Sequence, residues 1–251
     1  GEISTLCSED FQIYGFERAL KKVIGIDTDA LWKLWKENLK EKYQKQYQFI
    51  QNQSITQVTF LTDRGYSVSG LSLSPDQKKL VYSLSHPDYI SGLRLLEQQS
   101  GQEQLIVRGF IVGNPDFSQD GRHLVYSKMV PERYHSWVDI FDYDLDTGKE
   151  SRLTHDVRAF SPFFRNGKVY FLKRNVFPES LCSIDPASGT IEVIFEFPSS
   201  FRPIQLMVDP SEQTMVICGW KNGFLDLAIL SEDRKLHFLT SDVYADLSPS
   251  F

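Results

Sequence analysis

The sequence predicts a mainly β fold, a β-propeller of four-stranded antiparallel blades, preceded by an N-terminal α-helical segment. Three observations lead there. The apolar period changes near residue 52 from a helical spacing to short alternating runs. Beyond that point the chain repeats itself, with the turn positions Asp76, Asp120, Asn166 and Ser211 standing 44, 46 and 45 residues apart. Each repeat holds two strand, turn, strand signatures, which is the content of one propeller blade.

The helical segment, residues 1–52, divides into two helices. Ser8 followed by Glu9 and Asp10 reads as an N-cap with acids in the first turn, and Phe11, Tyr14, Ala19, Leu20 and Val23 lead to Gly25, a natural residue to end a helix. The second helix starts at Asp27 or Thr28. Leu31, Trp35, Leu39, Tyr43 and Tyr47 recur at every fourth position, with Trp32 widening the stripe, so one face is expected to pack and the Lys-rich opposite face to be solvated. Eight basic and eight acidic side chains make this segment neutral.

Residues 55–251 read as short β-branched and aromatic strands broken by Gly, Asp, Asn and Pro turns. SPDQKKLVYS (74–83) aligns without gaps to SQDGRHLVYS (118–127), then to FRNGKVYFL (164–172) and DPSEQTMVI (209–217). Between them lie LEQQSGQEQLI (96–106), YDLDTGKESRLT (143–154), IDPASGTIEVI (184–194) and LSEDRKLHFLT (230–240), the second hairpins. QVTFLT (57–62) matches only the last strand of a repeat.

These repeats resemble the TolB-like propellers, also called PD40 or WD-like repeats, whose blades carry S-P-D-G-x-x-h-h-Y in the first hairpin and Y-D-h-x-T-G-x-x-x-x-L-T in the second. The resemblance covers residues 55–251 and implies recognition or gating modules, often in extracytoplasmic bacterial proteins (periplasm or cell surface). FERALKKVIGIDTDALWKLWKENLKEKY (16–43) is similar to the helical tail that follows the catalytic part of some bacterial gluzincin-like metallopeptidases, where it leads into such a propeller.

Charge and motif content exclude several functions. Of 27 basic and 33 acidic residues, 19 and 25 lie after position 52, so the net charge of −6 belongs to the β part and speaks against nucleic acid as a partner. No apolar run approaches the roughly 18 to 20 residues of a membrane span. Cys7, Cys182 and Cys218 form no C-x-x-C pair and read as buried thiols, with a Cys182–Cys218 disulfide as the alternative. The five histidines, His86, His123, His135, His155 and His237, include no His-Glu-x-x-His helix, and the chain has no G-x-S-x-G elbow and no Gly-rich phosphate loop. No catalytic residue, metal or cofactor is expected in this chain.

Up-and-down strand order sorts the connections onto two faces. The tight turns Asp76-Gln77, Asp120-Gly121, Asn166-Gly167, Ser100-Gly101, Thr147-Gly148 and Ser188-Gly189 share one face, and the longer loops 85–89, 131–137, 174–179 and 219–223 share the other. Tyr89, Arg133, Tyr134, Trp137, Arg158, Phe177, Arg202 and Trp220 are candidates to line a binding funnel there; the competing reading is that they seal the blade ends. The expected function is non-catalytic recognition of a protein or peptide, with the gating of an upstream metallopeptidase domain as the alternative and carbohydrate binding as a third reading. About four and a half blades fit into the chain and five to six or more would complete a ring. The sequence is therefore expected to be a fragment, with further sequence before Gly1 and one or two blades after Phe251.

Overall fold

Each of the four repeats folds as a four-stranded antiparallel meander in the computed structural model, which describes residues 4, 15–53, 58–62, 66–176, 178–208, 214–231 and 233–247. Blade 1 is β1 (Ser67–Leu73), β2 (Lys79–His86), β3 (Tyr89–Glu97) and β4 (Glu103–Arg108). Blade 2 is β5 (Ile111–Phe117), β6 (His123–Pro131), β7 (Ser136–Asp144) and β8 (Lys149–Arg152). Blade 3 comprises β9 (Ala159–Arg165), β10 (Lys168–Lys173), β11 (Ser180–Ile184) and β12 (Ile191–Glu196), and blade 4 β13 (Phe201–Val208), β14 (Met215–Lys221), β15 (Phe224–Leu230) and β16 (Leu236–Phe238). Within every blade the strands lie in sequence order.

Alternation along the strands gives each sheet two apolar faces, and these close against the neighbouring blades. Val81, Leu93 and Leu95 of blade 1 meet Leu124, Tyr126 and Phe141 of blade 2. The other side of blade 2, Val125 and Ile140, meets Val169, Phe171, Cys182 and Ile184 of blade 3. Leu172 and Leu181 of blade 3 meet Met215, Ile217, Ala228 and Leu230 of blade 4. The first strands line up as β1, β5, β9, β13, and among the described residues no contact of similar extent joins blade 4 to blade 1.

Two recurring side-chain frames explain the repeat motifs. In the β1–β2 turn Ser74 Oγ donates to Asp76 at 2.7 Å and accepts from the Lys79 amide at 2.9 Å, while Asp76 accepts from the Lys78 amide. Ser118, Asp120, Arg122 and His123 repeat that frame in blade 2. The amide and hydroxyl donors hold both aspartates below the usual carboxylate range. The tyrosines of the two LVYS strings are fully buried, and their hydroxyls donate to fourth-strand glutamates, Tyr82 to Glu103 and Tyr126 to Glu150.

The L-T dipeptide closing a second hairpin is structural too. Thr154 Oγ1 accepts from the Ile140 amide and donates to the fully buried Asp139; Thr240 accepts from the Leu227 amide beside buried Asp226. Asp139 also accepts from Arg152 at 2.6 Å and from the amides of Asp156 and Val157. Burial alone would raise its pKa, but these donors outweigh it and hold the carboxyl below its ordinary range.

Contacts divide the chain into two units, Gly1–Phe60 and Leu61–Phe251. The first contains α1 (Gly15–Ile24) and α2 (Thr28–Gln51). Asp27 caps α2 by accepting from the Ala30 amide at 2.8 Å, and Gly25 ends α1 at φ +84°. Ala19 and Leu20 are buried as expected, whereas Val23 is 39% exposed. The expected packed stripe of α2 is only partly buried: Leu31 and Leu39 are half-buried, whereas Trp32, Trp35, Tyr43 and Tyr47 are more than half exposed. Ser8, Phe11, Tyr14 and Cys7 lie outside the described residues.

One further expectation changes, and two readings are sharpened. Residues 58–62, the described part of QVTFLT, form no strand, so the described residues hold four blades without an added half; 248–251 and the turn at Ser211 lie outside them. Cys182 and Cys218 are separate buried thiols and not a disulfide, since they sit in different blades and on different sheet faces. The 231–235 turn of blade 4 uses the first-hairpin frame, with Ser231 donating to Asp233 and the Arg234 amide to Ser231 O.

Two stability measurements follow. Gln77 holds φ +58° where blade 2 has Gly121 at +70°, so Gln77→Gly should stabilise the chain by about 0.5–1 kcal/mol in urea denaturation. Asp139→Asn should cost about 2–4 kcal/mol at pH 7. A carboxyl depressed in the folded state stabilises above its unfolded pKa, near 3.9, and loses that contribution as pH falls through its lower folded-state pKa, so the gap between the two proteins should narrow steadily as the pH is taken below about 4.

Candidate functional site

Strand order delivers the sequence-selected side chains to the face opposite the tight turns, around the β2–β3, β6–β7, β10–β11 and β14–β15 connections. Phe177 lies outside the described residues. Tyr89 begins β3, is 42% exposed, and packs on His86, whose ring also meets Tyr66. Arg133 and Tyr134 stack on one another at the tip of the β6–β7 loop, with Tyr134 83% exposed.

Those remaining four gather around blade 3. The Arg158 guanidinium stands 4.2 Å from the Trp137 ring centre, and its backbone has φ +57°, with Asp156 at +59° two residues before. Arg202 lies directly opposite Trp220 in the β13–β14 ladder. Arg158 O accepts from the Arg174 amide at 3.1 Å, which sets these two arginines against each other at the start of the β9–β10 ladder.

Sequence reading missed the group that joins them. Glu179, just before β11, is 5% exposed, and its Oε1 lies 3.2 Å from Arg202 Nε and 3.3 Å from Arg174 Nε. Arg174 also lies over the Phe160 ring at 4.8 Å. Both residues were inside the loop 174–179 singled out above, but 23 positions separate Glu179 from Arg202, and no local spacing marks the pair.

On the opposite face the four first strands converge on an open cavity of about 1230 Å³. Leu71, Phe117, Phe163 and Leu206 give it an apolar wall from all four blades, and Asp116, whose carboxylate accepts from the Phe164 amide at 2.9 Å, stands on its side. At its rim His123 Nδ1 lies 3.0 Å from Asp142. Burial raises the Asp142 pKa, and the neighbouring imidazole works against that rise. Among the described residues no group of His, Cys, Asp and Glu is placed to hold a metal ion. The two described cysteines are buried, and burial pushes the Cys218 thiol up to about 11, away from nucleophilic thiolate.

No protein-family profile matches the sequence, and no curated protein matches it. Solved structures do. TolB from Acinetobacter baumannii superposes with a TM-score of 0.59 at 18% identity, over 69% of this chain and 43% of that one. A TolB protein of Agrobacterium tumefaciens gives 0.58 at 19%, over 68% and 64%. A structure of a nidogen/laminin complex gives 0.53 at 13%, over 71% and 66%. The chain thus spans 43% and 64% of the two TolB structures, and it has the TolB-like β-propeller fold. No helix among the described residues is long and apolar enough to cross a membrane.

The cavity rim makes its own prediction. Removing the imidazole that opposes the desolvation of Asp142 should let its pKa climb further. His123→Ala should therefore raise the Asp142 titration midpoint in carbon-detected NMR; an unchanged or lower midpoint would show that the imidazole does not act on it.

Proposed function

We propose that this chain is a non-catalytic recognition module that binds a protein or peptide on its loop face, within a larger extracytoplasmic bacterial protein. One observation carries the reading: Arg158, Arg174 and Arg202 are held beside Trp137, Phe160 and Trp220 on one rigid face, with a single buried carboxylate among them. Arginine and tryptophan dominate the centres of protein interfaces, since each brings a large contact area and few ways to lose it. Ordering by ring contacts and an ion pair lowers the entropic cost of binding. The nidogen/laminin structure, with the same type of fold, is a complex of two proteins, which supports the same use.

A synthetic pool of fluorescein-labelled peptides, screened by anisotropy, tests the reading. The peptides retained should bind at least about tenfold more weakly to Arg158→Ala and Trp220→Ala, which alter exposed side chains. Leu71→Arg, on the opposite cavity, should leave them unaffected. The reverse pattern would move recognition to the cavity, and a pool with no binder would overturn the reading.

A further inference from the structure

We propose that Arg174, Glu179 and Arg202 form a receptor for the C-terminal carboxylate of a peptide, an inference that rests on the loop-face reading above. Both arginines approach Glu179 Oε1 through Nε, at 3.3 and 3.2 Å. Neither guanidinium has another ion-pair partner among the described residues, so the outer Nη edge of each, two parallel N–H groups, remains for a ligand. That edge matches the two oxygens of a carboxylate in a bidentate pair.

Charge and hydrogen bonding both remain incomplete in the protein alone. Arg158 and Arg174 meet through their backbones just beyond the β9–β10 ladder, Arg202 adds a third cation, and among the described residues Glu179 is the one carboxylate paired with any of them. Three cations with one carboxylate among them leave a local positive excess, and an incoming anion offsets it. Glu179 itself is 95% buried, yet its Oε2 has no hydrogen-bond donor. A buried carboxylate oxygen left unpaired costs free energy that a purely structural ion pair avoids.

Asp139, near the start of the third strand in blade 2, shows the structural version. Its two oxygens are filled by Arg152, Thr154 and two backbone amides. On Glu179, Arg202 Nε donates to Oε1, Arg174 Nε lies 3.3 Å from the same oxygen without completing a hydrogen bond, and no donor among the described residues reaches Oε2.

The missing partners define the ligand. A simple anion would satisfy the guanidinium edges and supply no donor for Oε2. The last residue of a peptide carries its amide N–H one carbon away from the carboxylate, so its carboxylate can lie on Arg174 and Arg202 while its N–H is directed toward the Glu179 carboxyl. Trp220, opposite Arg202 and 45% exposed, offers an apolar surface for the terminal side chain. No bond is made or broken.

The test uses one peptide pool synthesised twice, with free and with amidated C-termini, against the full chain. Wild type should bind the best free peptides at least about tenfold more tightly than their amides, the worth of one charge-assisted pair. Arg202→Leu alters a half-exposed side chain, and should bring the free peptide down to the level of its amide. Glu179→Gln should also reduce the preference, with thermal unfolding followed in parallel to confirm that each variant is folded. Equal binding of free and amidated peptides by wild type, or a preference that survives Arg202→Leu, overturns the proposal. If binding is lost in Trp220→Ala but ignores amidation, the loop-face reading stands and this inference fails. If no peptide of either pool binds, both fail.

Discussion

A four-stranded blade in this chain is apolar on both sides, and that single constraint organises the rest. Leu124, Tyr126 and Phe141 emerge from one face of blade 2, Val125 and Ile140 from the other, and all five are buried. Each such side chain contributes about 1.5–3 kcal/mol when removed from water, so a blade on its own would expose far more than its hydrogen-bonded ladder could offset. Stacking blade against blade is the way to bury both faces at once. Once stacked, the first strands must converge, which opens the cavity they line, and the connections must separate into two faces.

How far the blades depend on polar groups differs from one face of the sheet stack to the other. On the turn face, serine and aspartate side chains replace absent backbone partners, as Ser74 and Asp76 do for the Lys78 and Lys79 amides. On the loop face, buried acids hold the lead-in to the next blade: Asp139 gathers Arg152 and the 154–157 segment, and Asp226 accompanies Thr240. Blade 3 breaks the series. Its acid is Glu179, whose longer side chain reaches two arginines and no backbone amide. The blade that departs from the structural frame is the one where arginines accumulate, as expected when a site is built at some expense of local stability.

The fold was legible because its determinants are local and repeated. The S-x-D-x-x-x-h-V-Y string encodes a turn frame, a buried tyrosine and a strand pair within ten residues, and the strand order follows from the tightness of the turns. The faces on which loops and turns lie could be assigned the same way. Three things were not legible. The stripe on α2 has helical spacing whether or not a partner covers it, so spacing predicted burial that Trp35 and Tyr43 do not have. QVTFLT has the composition of a fourth strand, but pairing requires a neighbouring strand edge, and composition carries no information about that. The ion pair of Glu179 with Arg202 joins different blades, and its geometry arises only after the blades stack.

Turn chemistry also decides the electrostatics of the two faces. The tight turns require Asp76, Asp120, Asp144, Asp185 and Asp233 as acceptors, and every one of them is held below the ordinary carboxylate range by the groups it serves. These carboxylates therefore stay ionised through mildly acidic conditions, and five of the 33 acidic side chains are committed to the turn face for structural reasons. Most of the strands between the faces run six to nine residues, or about 20–30 Å, which is two to three Debye lengths at 0.1 M salt. The field of the turn carboxylates is then largely screened at the face that carries Arg158, Arg174 and Arg202. An acidic chain can thus keep a locally cationic face, and an anionic group approaching it meets the arginines and not the net charge.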